Sequence, residues 1–127
     1  SGKRIAMLGI SFKPDSDDLR DSPALDIALR LSRAGAVVTV HDPVSLDALA
    51  VKEPGLAREA EMVEALREAD LVILGTEWKQ YKEADPEILG SVVASKNIID
   101  GRNVLDVERW QAAGWRVTAL GRSIVNG

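Results

Sequence analysis

IAMLGISFKPDSDDLRDSPALDIALRLSRAGAVVTVHD, residues Ile5–Asp42, reads as strand, loop, helix and strand. Ile5–Gly9 is a short apolar run that ends in glycine, and Ala36–Asp42 (AVVTVHD) repeats that character. Between them, Ser22–Ala34 carries the marks of a helix at both ends. Ser22 stands at the cap, Pro23 at the first helical position, and Ala24, Ile27, Ala28 and Leu31 recur at helical spacing. Arg30 and Arg33 lie near the end, with Gly35 just beyond. A helix between two apolar strands returns the chain to the same end of a sheet, so the strands run parallel.

The alternation continues outward from this unit. Leu71–Gly75 (LVILG), Asn97–Asp100 (NIID) and Trp115–Leu120 (WRVTAL) bring the predicted strands to five. The pattern predicts helices over Arg58–Ala69, with a stripe of Met62, Val63 and Leu66; over Asp85–Val93, capped by Asp85 and opened by Pro86; and over Val104–Ala113, closed by Gly114. Pro43–Gly55 reads as a loop with one short helical turn around Asp47–Ala50. The expected fold is α/β, a doubly wound Rossmann-like parallel sheet with helices on both faces, in one domain of residues 1–127.

Composition excludes several classes of function. The net charge of −4, from 16 basic and 20 acidic side chains, argues against a broad nucleic-acid footprint. With no cysteine, disulfides, thiolate metal sites and a cysteine nucleophile are absent from the sequence. No apolar run is long enough for a membrane span and no signal-peptide pattern occurs, so a soluble, cytoplasmic protein is expected. The single histidine, His41, sits beside Asp42 and reads as a strand-end residue with a local hydrogen bond rather than a base or metal ligand.

In α/β folds, anions bind where a strand's carboxyl end feeds a helix, which makes Gly9–Leu25 the first place to expect a ligand. A dinucleotide turn needs G-x-G-x-x-G and an acid at the end of the second strand. Asp42 occupies the acid position, but the turn reads Gly9-Ile10-Ser11-Phe12-Lys13-Pro14, and thirteen residues separate Gly9 from Pro23. NAD bound in the usual way is therefore not expected of this domain. The loop instead carries Lys13 and Arg20 among Asp15, Asp17, Asp18 and Asp21. Two readings stay open: a loop closed by its own salt bridges, with Asp17 or Asp18 paired to Arg20, or a phosphate site with Lys13 as a point charge.

Three segments, in order and each at a strand's carboxyl end, carry a more specific signal: Phe12–Leu25 (FKPDSDDLRDSPAL), Gly75–Tyr81 (GTEWKQY) and Ile98–Leu105 (IIDGRNVL). Together they resemble the motifs of the C-terminal, substrate-binding domain of the UDP-glucose/GDP-mannose dehydrogenase family. The resemblance implies part of a larger enzyme that oxidises a nucleotide-sugar 6-alcohol twice, to a carboxylate, with two NAD. In that family an N-terminal domain carries G-x-G-x-x-G and binds NAD, and a cysteine forms a thiohemiacetal; neither feature occurs in these residues. The isolated domain is thus expected to bind a UDP-sugar and to be inactive alone.

Carried over by position, the resemblance makes Phe12, Lys13 and Arg102 substrate-binding, and Arg20 a cofactor-side residue that reaches toward NAD held by the N-terminal domain. It supplies no catalytic residue and no metal ligand here, and it implies a homo-oligomer for the full-length enzyme. UDP-glucose, oxidised to UDP-glucuronate, is the expected substrate. GDP-mannose, UDP-N-acetylglucosamine, UDP-N-acetylmannosamine and a free-standing nucleotide-binding or interaction module remain alternatives. Structural roles are open as well: Phe12 as a loop anchor, Arg102 capping its turn and Glu77 in a hydrogen bond. Trp78 and Tyr81 read as packing or interface residues, and Trp110 and Trp115 as covering the sheet.

Overall fold

The strand-helix-strand unit of Ile5–Asp42 is present as β1 (Arg4–Leu8), α1 (Pro23–Arg33) and β2 (Val37–His41). It belongs to a computed structural model that describes residues 2–10, 22–76, 78–102 and 104–119. There follow α2 (Leu46–Lys52), β3 (Ala57–Arg58), α3 (Met62–Leu66), β4 (Leu71–Leu74), α4 (Lys79–Lys82), α5 (Pro86–Gly90), β5 (Asn97–Asp100), α6 (Val107–Ala112) and β6 (Arg116–Ala119). All neighbouring strands pair in parallel, in the order β3-β2-β1-β4-β5-β6. The chain thus builds outward from β1 to β3, returns to lay β4 on the other side of β1, and builds outward again. With right-handed crossovers, that reversal puts α1 and α2 on one face and the later helices on the other.

The alternation of side chains along each strand feeds two cores. Ile5, Met7, Val38, Val40 and Ile73 meet Ala24, Leu25, Ala28 and Leu49 on the α1 face. Ala6, Leu8, Val72, Leu74 and Ile98 meet Leu66, Tyr81, Leu89, Trp110 and Trp115 on the other. Trp110 and Trp115 pack edge to face at 5.0 Å and 67°, and the Trp115 indole N–H donates to the Pro86 carbonyl at 2.9 Å. The two tryptophans cover the sheet as expected. Among the described residues, coverage on the α1 face stops short of β5 and β6: Leu71 and Ile99 are only half-buried, beside an open cavity of 380 Å³ rimmed by Lys3, Asp70, Asn97 and Arg116.

The element boundaries differ from the sequence pattern in ways that have local causes. The sheet has six strands rather than five, because Ala57 and Arg58 pair with Thr39 and Val40 at its edge. That edge strand takes the first residue of the helix predicted over Arg58–Ala69, and α3 starts only at Met62. The helical turn expected around Asp47–Ala50 is a seven-residue helix. α4 was not predicted at all, and α5 is shorter than Asp85–Val93. α6 starts at Val107, not Val104, because Asp106 caps it by accepting the Arg109 N–H at 3.2 Å.

Candidate functional site

The carboxyl edge of the sheet is organised by backbone contacts that leave little room for side chains. Gly9, just past β1, has φ +88°, and a Cβ there would lie 1.9 Å from Thr76 Oγ1, just past β4. Thr76 is 2 % exposed and its hydroxyl has no hydrogen-bond partner among the described residues. Past β5, a Cβ on Gly101 would come within 2.9 Å of the Leu74 carbonyl oxygen, to which the Gly101 N–H donates at 3.0 Å. β1 and β4 part company here, with the chain leaving them in opposite directions. Open α/β sheets take their ligands at such a point.

Ile10, the last described residue before the charged loop, is gripped on both sides. Its N–H donates to Asp42 Oδ2 at 2.9 Å, and its carbonyl accepts from the Ser22 hydroxyl. Ser22, the first described residue after the loop, also accepts the Leu25 N–H at 3.0 Å and so caps α1. The two ends of the loop therefore meet at their base. Asp42 further accepts the Val44 and Ser45 N–H groups at 2.9 and 2.8 Å. Among the described residues, these contacts do not fit NAD in the ordinary Rossmann manner. The acid that would meet a ribose is turned onto backbone amides, Pro23 has no amide hydrogen to offer a phosphate, and the Leu25 amide is taken by Ser22.

His41 is 3 % exposed and has a partner forty residues away rather than a local one. Tyr81 on α4 donates its hydroxyl to the His41 carbonyl at 3.1 Å, and its oxygen lies 2.8 Å from His41 Nδ1. Burial pushes the His41 pKa down, against the opposing charge of Asp42, a hydrogen bond with the Ala60 backbone and the charge of Glu61. Burial pushes the Tyr81 phenol up, helped by the Asp42 charge. The pair ties the end of β2 to the segment after β4, and the packing role expected of Tyr81 is what it has. Trp78 is half-buried and packs on the same core.

Of the four predicted ligand residues, Arg102 is the one that falls within the described residues. It is exposed at the carboxyl end of β5, and its backbone N–H donates to Asp100 Oδ1 at 3.0 Å. Its turn is thus capped by Asp100. Phe12, Lys13 and Arg20 lie outside the described residues, as do Glu77 and the proposed pairing of Asp17 or Asp18 with Arg20. The sequence reading gave no role to Asp100, although an acid at the end of the apolar strand NIID was a signal. Among the described residues, no group of three or more His, Cys, Asp or Glu could hold a metal ion, and no helix is long and apolar enough to cross a membrane.

Residues 6–107 match the sequence profile of the UDP-glucose/GDP-mannose dehydrogenase family, UDP binding domain. The chain is 34% identical over 127 residues to UDP-glucose 6-dehydrogenase TuaD of Bacillus subtilis, covering 99% of this chain and 28% of that protein. It is 36% identical over 121 residues to UDP-glucose 6-dehydrogenase of Rhizobium meliloti, covering 95% and 28%. Among solved structures it is similar to NDP-N-acetyl-D-galactosaminuronic acid dehydrogenase from Methanosarcina mazei Go1, with a TM-score of 0.84 and 31% identity over 96% of this chain and 25% of that one. A UDP-glucose dehydrogenase from Pyrobaculum islandicum gives 0.71 and 30%, over 91% and 26%. The chain spans little more than a quarter of the length of these relatives. With the parallel six-stranded sheet, these matches place the chain in the UDP-glucose/GDP-mannose dehydrogenase family, as its UDP binding domain.

Proposed function

We propose that this chain is the C-terminal, nucleotide-sugar-binding domain of a longer NAD-dependent dehydrogenase that oxidises UDP-glucose to UDP-glucuronate. The observation that carries this reading is Arg102, presented on a clamped turn at the ligand edge of a sheet whose ordinary dinucleotide seat is closed by Asp42 and Ser22. A guanidinium there binds phosphate or carbonyl oxygens through paired hydrogen bonds. The loop bearing Phe12 and Lys13 is rooted on β1, two strands from β5, so the roots of the two binding segments are about 10 Å apart. One extended nucleotide sugar bridges such a span, with Lys13 supplying a point charge to its diphosphate.

NAD, bound by the N-terminal domain, would supply the hydride acceptor, and Arg20 is assigned to its side. This chain's own residues hold and orient the nucleotide; with no cysteine, they take no part in a thiohemiacetal. The full-length enzyme is taken to be a cytoplasmic homo-oligomer. The similarity to a dehydrogenase of an N-acetylated sugar nucleotide favours a second reading, in which the scaffold is the same and the sugar differs.

Calorimetry on the longer protein with UDP-glucose, GDP-mannose and UDP-N-acetylhexosamines separates these readings. UDP-glucose is expected to bind most tightly, and GDP-mannose preference overturns the assignment. K13A and R102A are each expected to weaken binding about ten- to a hundred-fold, or about 1.5–3 kcal/mol. Unchanged affinity in both variants defeats the substrate-binding roles.

A further inference from the structure

We infer that Asp100 is the positioning residue for Arg102, setting the turn from which the arginine meets UDP; the inference rests on the reading of Arg102 as a UDP-binding residue. Asp100 has no solvent exposure, and a buried acid is tolerated only where its oxygens are met by donors. Both oxygens are met, and both by the turn that holds the arginine. Oδ1 accepts the Arg102 N–H at 3.0 Å, two residues on, and Oδ2 accepts the Leu105 N–H at 2.8 Å, five residues on. The arginine is therefore bracketed by one carboxylate.

The rest of the turn is pinned from outside. Gly101 donates to the Leu74 carbonyl at 3.0 Å and lies so close to it that a Cβ would sit 2.9 Å from that oxygen. Leu105, 4% exposed, is anchored in the core that also holds Tyr81 and Trp110. A neutral side chain cannot reproduce the arrangement. Asparagine keeps the shape of Asp100 but turns one oxygen into an NH₂ group, which then faces an N–H as donor against donor. Holding the Arg102 backbone before the ligand arrives lowers the ordering cost of binding, since a long side chain on a fixed root has less freedom to lose.

The test is a double-mutant cycle in the longer dehydrogenase: wild type, D100N, R102A and D100N/R102A, with UDP binding measured by calorimetry and folding checked by thermal unfolding. D100N is expected to weaken UDP binding about ten-fold when Arg102 is present and less than about two-fold when it is absent. In steady-state kinetics, the KM for the sugar nucleotide should rise while kcat and the KM for NAD stay unchanged. Equal weakening in both backgrounds, or none, overturns the inference. If R102A alone leaves UDP affinity unchanged, the reading of Arg102 falls first and the inference with it. Should D100N fail to fold, hydrogen exchange on the wild type decides: Arg102 and Leu105 amides already protected without UDP support the inference. Amides that exchange freely until UDP is added overturn it.

Discussion

Gly9 has room for a hydrogen and nothing larger, because its positive φ and the Thr76 hydroxyl act together. G9A is expected to lower stability by about 2–4 kcal/mol, combining left-handed strain with overpacking, and urea unfolding measures it. Thr76 faces the opposite prediction. Its buried hydroxyl lacks a partner among the described residues, so T76V should leave stability unchanged or raise it by up to about 1 kcal/mol; a clear loss would mean that the hydroxyl is bonded. His41 gives a pH signature. Its folded pKa lies below the ordinary 6.5, so the unfolded chain takes up the proton first. Stability is then full above about pH 6.5 and falls as the pH drops below it, and H41Q should flatten the part of that slope between pH 7 and 5. What the sequence disclosed at this scale depended on the partner. The place of Arg102 at the carboxyl end of β5 was legible because D-G-R-N is a side-chain motif, whereas Asp100 and Asp42 act on backbone amides, which every residue but proline carries. By position alone, Asp42 passed for a ribose acid.

Among the elements, α1 was legible nearly to the residue because all its signals are local. Ser22 caps, Pro23 starts, Asp26 and Arg30 pair four residues apart at 2.8 Å, and Gly35 ends it at φ +103°. S22A removes both the cap and the bond to the Ile10 carbonyl, and should cost about 1–2 kcal/mol in chemical denaturation. β3 and α4 were not legible. The two residues of β3 are a strand only because β2 lies beside them, and the four of α4 are too few to show a period. Tyr81 belongs to α4 and is held by His41, so tertiary contact rather than propensity marks that helix.

For the molecule as a whole, alternating strands and helices were enough for a parallel doubly wound sheet. The strand order was not, since it turns on which side of β1 the chain lays β4. Much of the candidate site rests on Phe12, Lys13 and Arg20, outside the described residues. The tryptophans divide the molecule along its length. Trp110 and Trp115, where α6 turns into β6, meet edge to face at 5.0 Å and 67°, close enough for their excited states to couple, and a near-ultraviolet dichroism band from that coupling reports tertiary packing. Trp78 lies at the other end, two residues past Thr76, packed on the same core. With one chain and no added dye, light can therefore report the loss of tertiary packing from that one end of the sheet.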